Sequence, residues 1–214
     1  MFTNTLSQNA SDALAILGKS GIFQGAYLAG GTACALQLGH RVSLDLDFFT
    51  EKEFDTEIVL KLLEKLPEFK LDETAKWTIL GSFPKVKFSY FYSRYPLIKR
   101  TSQFFQINLA SLEDIAAMKI AAICDRGTKR DFIDLYFLAK RFSLNQILKF
   151  YDQKYAKLSN NIVHIVRSLN YFEDAEPQKH PKMLIPTSWE EVKKFFQDQT
   201  IKLTKDKLKI QFSS

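Results

Sequence analysis

The sequence predicts an α+β fold, with a small mixed or antiparallel sheet and flanking helices over residues 1–110 and a helical half over residues 111–214. Short β-rich runs punctuated by glycine and proline dominate residues 20–110. From Ser111 onward, apolar residues recur at helical spacing instead. The 46% share of apolar residues over 214 positions is enough to bury the core of one domain or of two small ones.

The first elements follow from local signals. Residues 6–20 have an apolar side and predict a helix that Gly21 ends. The stretch GIFQGAYLAGG is short, apolar and rich in glycine, which predicts a strand entering a turn. ACALQLG predicts a brief helix with Gly39 as a left-handed cap. VSLDLDFF alternates polar and apolar residues and predicts a strand whose leucines and Phe48 face a core.

The rest of the first part is a helix and three strands. Residues 55–66 predict a helix that Pro67 ends. KWTILGSF and VKFSYFYSRY, separated by Pro84, predict antiparallel neighbours, and FQINLAS predicts a further short strand.

The second part is predicted to be helical. Ser111 is the N-cap of the first helix, with Asp114 in a capping-box position. Gly127 interrupts, and KRDFIDLYFLAKRF resumes as a second helix. A late helix begins after Ser188, with Glu191 at its third position, and follows a loop containing three prolines. The cleft between the two parts is the expected ligand site.

Composition narrows the class of protein. The sequence contains no membrane-spanning apolar run and no secretion signal, and its two cysteines, Cys34 and Cys124, form no metal-binding motif. These features predict a cytoplasmic protein with reduced thiols. The net charge of +6 favours polyanionic partners. Much of this charge lies late in the chain, at Lys193, Lys194, Lys202, Lys205, Lys207 and Lys209. These lysines predict either a solvated helical face or a surface that contacts RNA or DNA.

Two motifs carry the chemistry. Asp45 and Asp47 are two residues apart on a predicted strand, so their carboxylates leave one face and repel each other unless a cation lies between them. Mg²⁺ suits such a pair, because it prefers oxygen ligands and substrate phosphates. Upstream, Gly30 and Gly31 end a strand and open a helix, where backbone N–H groups can approach a phosphate. Together the motifs predict phosphoryl or nucleotidyl transfer.

The same residues resemble the signature of the DNA polymerase β superfamily. Ala29-Gly30-Gly31 is followed by thirteen residues and then by Asp45-Leu46-Asp47. The stretch GGTACALQLGHRVSLDLDFF is similar to the AbiEii/AbiGii toxin-like branch of nucleotidyltransferases, with Arg41 and Ser43 at matching places. The resemblance implies that the first part is the nucleotidyltransferase core. Gly30, Gly31 and Thr32 would cradle the outer phosphates, Arg41 would add positive charge, and Ser43 would orient its neighbours.

A second resemblance lies in the helical half. Lys119 interrupts an apolar helical stripe, and by its position alone it either reaches the surface or serves an anion. Asp131 and Asp134 share a helical face, which by itself fits surface pairing with Lys129, Arg130 or Arg141. However, DIAAMKIAAICDRGTKRDFIDLYFL closely resembles the late motifs of the branch. By that likeness Lys119 contacts the triphosphate, and Asp131 or, in preference, Asp134 organises the site or acts as a base.

One departure stands out. Many relatives carry a third carboxylate on a later strand, but VKFSYFYSRY contains none, and Ser89 or Tyr90 occupies its place. The resemblance implies a Mg²⁺- or Mn²⁺-dependent enzyme that moves a nucleoside monophosphate from an NTP to an acceptor hydroxyl, on RNA such as a tRNA 3′ end or on a protein. It also implies a toxin with an antitoxin partner. The alternative is a catalytically degenerate module of the same fold that binds a nucleotide or a partner.

Overall fold

The computed structural model describes the backbone of residues 1–212 and the side chains of residues 1–157 and 161–205. The chain divides into two compact units, Met1–Ile115 and Ala116–Ser214. The first unit holds the strands and the second unit is helical.

The first unit is built on one mixed sheet, in which the described residues contribute seven strands in the order β3-β4-β5-β2-β1-β7-β6. Parallel pairing joins β2 to β5 and β1 to β7, whereas the other neighbours are antiparallel. The strands are β1 (Ala26–Leu28), β2 (Leu46–Thr50), β3 (Lys70–Ala75), β4 (Thr78–Phe83), β5 (Val86–Tyr92), β6 (Ser102–Phe104) and β7 (Ile107–Leu109). The predicted α+β class with a mixed sheet is confirmed.

Helices cap the sheet where the sequence predicts them. They are α1 (Gln8–Ser20), α2 (Gly30–Leu38) and α3 (Thr56–Leu63), preceded by a single turn of 3-10 helix at Thr3–Thr5. Ser7 caps α1, Asp55 caps α3, and Gly39 ends α2 in the left-handed conformation with φ of 71°. α1 packs against β5 and β7. Buried aromatic rings fill the core beneath the sheet: Phe23 stacks on Phe48 with centroids 4.6 Å apart, and Phe88 meets both.

The two faces of the sheet follow from strand register, because directly paired residues share a face. One face carries the buried side chains Phe48 and Ile79, which lie in register with Tyr90. The opposite face carries Asp47, which lies in register with Ser89. This second face is the one that bears the predicted carboxylate site.

Two strands are absent from the sequence prediction. Every residue of β3 is exposed, so β3 lacks the alternation of apolar residues that marks a half-buried strand. β6 has only three residues, none of them buried. Both form because they pair with a neighbour, β3 with β4 and β6 with β7, and the pattern of their own side chains does not indicate them.

The helical unit continues from α4 (Leu112–Asp125), the helix in which the division between the units falls. Thr128 caps the next helix, and Phe132 packs there against Phe172, Trp189 and Phe196. The remaining helices are α5 (Lys129–Leu138), α6 (Leu144–Tyr155), α7 (Leu158–Ser168) and α8 (Trp189–Phe212). None of the helices in the described part of the chain combines the length and the apolar character needed to cross a bilayer.

Ser111 caps α4 as predicted, since its hydroxyl accepts from the backbone N–H of Asp114 at 3.0 Å. Asp114 completes the cap differently from a capping box. Its carboxylate accepts from the Ser111 hydroxyl at 2.8 Å and from the backbone N–H groups of Ile98 and Lys99. This buried carboxylate therefore ties the loop before β6 to the start of α4.

Candidate active site

The turn between β1 and α2 touches the strand that carries Asp47. The backbone N–H of Ala29 donates to the carbonyl of Asp47 at 2.9 Å. Gly30 follows with φ of 64°, and a Cβ there would lie 2.7 Å from Asp47 Oδ2. A side chain at this position would therefore strain the backbone and collide with the carboxylate. Glycine lets the first turn of α2 and the Asp47 carboxylate meet directly.

Gly31 serves a different contact. A Cβ at Gly31 would overlap the guanidinium of Arg41, with the Ser43 hydroxyl next nearest at 3.4 Å. Arg41 is only 2% exposed, and its Nη1 donates to the carbonyl of Val42 at 3.1 Å. The absence of a side chain at Gly31 thus places a buried positive charge beside the amino end of α2. His40, the residue before Arg41, is also fully buried.

Hydrogen bonds from Thr32 and Ser43 fix the backbone just before β2. Thr32 is 1% exposed, and its Oγ1 donates to the backbone carbonyl of Asp45 and lies 2.9 Å from Ser43 Oγ. The backbone N–H of Ser43 donates to the carbonyl of Thr5 at 2.9 Å. These bonds fix the backbone at Asp45, and they explain why small hydroxyl residues stand at both positions.

The strand at the two aspartates is shorter than predicted. It begins at Leu46, so Asp47 lies within β2 whereas Asp45 precedes it. Leu46 and Phe48 are fully buried as expected, but Leu44 is 44% exposed, which corrects its assignment to the core. The reason is that the backbone before Leu46 is held by the Thr32 and Ser43 contacts and not by a ladder that would alternate its side chains.

Asp47 has a hydrogen-bond donor on the neighbouring strand. β2 and β5 are parallel, with Asp47 opposite Ser89, and Ser89 Oγ donates to Asp47 Oδ1 at 2.6 Å. Tyr90 belongs to the other face and stacks on Phe54 with centroids 4.4 Å apart. Of the two residues at the place of the absent third carboxylate, Ser89 is therefore the one beside Asp47.

In the helical unit, Lys119 forms two short ion pairs. Its Nζ lies 2.8 Å from Asp131 Oδ1 and 2.6 Å from Asp134 Oδ2, and all three side chains are at least 94% buried. Lys119 thus does not reach the surface, and neither carboxylate has the exposed position that surface pairing requires. A lysine with two buried acids is a positioned charge cluster of the kind that functional sites contain.

Asp131 has further partners. Arg126 Nε donates to Asp131 Oδ2 at 3.0 Å, and the Thr128 hydroxyl donates to the same oxygen at 2.6 Å. Burial alone would raise the pKa of the Asp131 carboxyl, but the charge of Lys119 and the bonds from Arg126 hold this pKa well below its usual range. Arg126 is absent from the sequence prediction because Gly127 separates it from α5, so helical spacing gives no signal for the pair.

The basic residues near the end of the chain are partly neutralised. Lys193 Nζ lies 2.6 Å from Glu176 Oε1, and Lys194 lies 3.5 Å from Asp198. Lys202 and Lys205 are exposed on α8, which fits either the solvated face or the nucleic-acid surface. The side chains of Lys207 and Lys209 lie outside the described residues.

The comparisons with known proteins identify the family of this chain. The family described as "Nucleotidyl transferase AbiEii toxin, Type IV TA system" matches residues 12–208. The chain is 38% identical over 197 residues to the uncharacterised protein aq_aa25 of Aquifex aeolicus (strain VF5), covering 89% of this chain and 94% of that protein. The chain belongs to the AbiEii family of nucleotidyltransferase toxins.

Solved structures share the fold. JHP933 from Helicobacter pylori superposes with a TM-score of 0.52 at 21% identity, covering 96% of this chain and 98% of that chain. MenT4, a nucleotidyltransferase toxin from Mycobacterium tuberculosis H37Rv, superposes with a TM-score of 0.50 at 19% identity, covering 91% and 86%. At these identities the likeness concerns the fold, and the chemistry of this chain rests on its own residues.

Proposed function

We propose that this nucleotidyltransferase moves a nucleoside monophosphate from an NTP to an acceptor hydroxyl, with Mg²⁺ or Mn²⁺ held by Asp45 and Asp47. The observation that supports this most is the direct approach of the Gly30 turn to Asp47 Oδ2. A metal ion held by Asp47 would supply positive charge to a triphosphate only if the turn that receives the phosphates lies beside this carboxylate.

The residues present fit such an ion. Asp45 and Asp47 are partly exposed, and carboxylate oxygens are the ligands that Mg²⁺ prefers. Oδ1 of Asp47 accepts a hydrogen bond from Ser89, while Oδ2 faces the Gly30 turn. When bound, the ion would offset charge that develops on the triphosphate.

Positive charge around the amino end of α2 favours a triphosphate there. Ala29 supplies no side-chain cap, and the first turn contains no acid, so no carboxylate of the helix itself competes for its N–H groups. The helix dipole adds a partial positive charge, and the buried Arg41 adds a full one nearby. We propose that Gly30, Gly31 and Thr32 receive the outer phosphates through their backbone, since the Thr32 hydroxyl is engaged with Asp45 and Ser43.

In the reaction, the acceptor oxygen bonds to the α-phosphorus and loses its proton to water. The bond from that phosphorus to the bridging oxygen breaks, and pyrophosphate leaves with the electron pair. We propose that Lys119 contributes positive charge toward the triphosphate. Its ion pairs favour the role of organiser over that of base for Asp131 and Asp134, because each acid is already bonded to the lysine.

The family also defines the biological setting as a toxin-antitoxin system. We propose that this chain is the toxin, that its transfer activity causes the growth defect, and that an antitoxin protein encoded with it relieves that defect. The reaction with NTP occurs in the cytoplasm under this proposal.

The test is transfer of label from each radiolabelled NTP to total RNA and to total protein in the presence of Mg²⁺. Asp45→Asn and Asp47→Asn should each abolish transfer while thermal melting stays close to that of the native chain. Asp72→Asn, at an exposed position of β3, is the matched control and should keep full activity.

Normal transfer by a folded Asp47→Asn protein would rule out the metal assignment. Failure of the native chain to transfer any label, with NTP binding intact, would favour the alternative of a degenerate binding module. The observation that favours this alternative is that Ser89, and not a carboxylate, lies opposite Asp47 on β5.

A further inference from the structure

A row of lysines crosses the same face of the sheet that carries Asp47. Lys70 on β3 pairs with Ser82 on β4, and Ser82 pairs with Lys87 on β5. Residues paired in this way share a face, and Lys87 is two residues before Ser89, so it shares the face of Ser89 and Asp47. Lys70 and Lys87 are both exposed.

This row borders a groove that has Asp45 in its lining. The groove has a volume of about 700 Å³, and its lining includes Asp45, Lys70, Lys85 and Lys87. Lys85, at the tip of the turn between β4 and β5, is exposed and held at φ of 60°. Three ammonium groups thus outnumber the carboxylates in the lining, Asp45 and Glu68.

The groove also offers apolar contact. Leu44 is 44% exposed at the end nearest Asp45, and Pro84 is exposed beside Lys85. The exposed part of this leucine, beside Asp45, offers apolar surface to the flat face of a base. Proteins that bind single strands without reading their sequence use a positively charged groove that follows the backbone.

We propose that this groove binds the acceptor strand, a single-stranded nucleic acid whose phosphates lie on Lys70, Lys85 and Lys87 and whose terminal hydroxyl reaches Asp45 and Asp47. The proposal rests on the function proposed above and names the acceptor class. Neighbouring strands are about 4.8 Å apart, so Lys70 and Lys87 are separated by about 10 Å. At that separation the two lysines can contact different phosphates of one strand.

The binding experiment uses the full chain carrying Asp47→Asn, so that no transfer occurs. Fluorescence anisotropy measures the affinity for a labelled 12-nucleotide RNA and for the matching DNA over a range of salt concentrations. Adding Lys70→Gln and Lys87→Gln should weaken binding about tenfold at low salt. It should also reduce the slope of log affinity against log salt by about 1.4, because each phosphate of a single strand that a lysine no longer neutralises lowers this slope by about 0.7.

The matched control is Lys52→Gln with Lys61→Gln, which removes the same charge from exposed positions outside the groove. This pair should leave both the affinity and the salt slope nearly unchanged. An equal loss of affinity in the two double variants, or no loss in either, would overturn the groove. A preference for RNA over DNA would identify the sugar of the acceptor, and equal affinity would assign the recognition to phosphates and bases.

A second readout separates this inference from the proposed function. In the active chain, the groove variant should raise the KM for the oligonucleotide and leave the KM for NTP unchanged. Transfer to an oligonucleotide with an unchanged KM, or label found only on protein, would overturn the groove while the nucleotidyltransferase proposal stands. Absence of any transfer together with lysine-dependent oligonucleotide binding would overturn the proposed reaction and retain the groove.

Discussion

Ser89 Oγ donates a hydrogen bond of 2.6 Å to Asp47 Oδ1, across the parallel pairing of β2 with β5. The bond joins residues 42 positions apart, and it places a neutral donor where the resemblance to the DNA polymerase β superfamily implies a third acid. A hydroxyl in this place fixes the orientation of Asp47 without adding negative charge. We propose that the site of this chain is organised around Asp47 on β2 and Asp45 just before that strand, with a hydroxyl that positions Asp47.

Ser89→Ala should lower transfer about tenfold, with little effect on melting. A hydrogen bond to a charged group contributes about 1.5–3 kcal/mol, and about 1.4 kcal/mol in the barrier is a factor of ten in rate. Label transfer measured against Mg²⁺ concentration is the assay, and the variant should require more Mg²⁺. Thr78→Val, on the neighbouring β4, is the control for loss of a hydroxyl from the sheet. Unchanged activity and Mg²⁺ dependence would show that the bond does not position Asp47.

Gly30→Ala should abolish transfer, and Gly25→Ala should not. Both glycines have positive φ, 64° and 84°, so an alanine costs about 1–2 kcal/mol of backbone strain at either position. Only at Gly30 does the added Cβ approach Asp47, since nothing lies within 4 Å of the corresponding Cβ at Gly25. The melting temperature reports the destabilisation caused by the backbone strain. Label transfer reports whether the added Cβ disturbs Asp47. Equal activity in the two folded variants would contradict the proposed contact.

Gly31→Val should weaken NTP binding by displacing Arg41. The side chain would enter the volume of the guanidinium, which is buried and has little room to move. Calorimetric titration with a non-hydrolysable NTP and Mg²⁺ is the measurement. Gly31→Val combined with Arg41→Ala relieves the collision, and it should regain the melting temperature without regaining the affinity. Recovery of affinity in the double variant would mean that Arg41 does not attract the triphosphate.

Asp131→Asn should destabilise the helical unit in a pH-dependent manner. The pKa of this buried carboxyl is lowered in the folded chain from its ordinary 3.8. Its stabilising contribution is therefore complete above about pH 4 and is lost as the pH falls further. At pH 7 the loss should be about 3 kcal/mol, as for other broken buried pairs. Melting of both proteins between pH 7 and pH 3 should show their difference shrinking toward acid, and a constant difference would contradict the ion pair.

The role of Lys119 in NTP binding needs a variant that keeps the fold. Lys119→Met alone leaves two buried carboxylates without their shared ammonium, so unfolding would confuse the result. A triple variant with Asp131→Asn and Asp134→Asn removes all three charges together and should melt closer to the native chain. Its NTP affinity should fall by about 1–3 kcal/mol, the range of a hydrogen bond to a charged group. Native affinity in the folded triple variant would give the cluster a structural role only.

The sequence predicts those parts of this protein that depend on local chemistry. Gly39 ends a helix because its conformation is left-handed, and Ser111 caps a helix because its oxygen accepts from a nearby N–H group. The sequence predicts β2, β4 and β5 because one face of each strand is apolar. The sequence does not predict β3, because a strand that is exposed along its whole length lacks this apolar pattern.

The sequence by itself determined the mixed α+β class, the Gly30-Gly31 turn and the Asp45 and Asp47 pair, because each depends on residues close together in the chain. Only the tertiary structure decided which neighbours these groups have. The register of β2 on β5 places Ser89, and not Tyr90, opposite Asp47. The packing of α4 with α5 brings Asp131 and Asp134 within ion-pair distance of Lys119. Such contacts depend on the pairing of distant segments, and the spacing of residues along one segment carries no information about it.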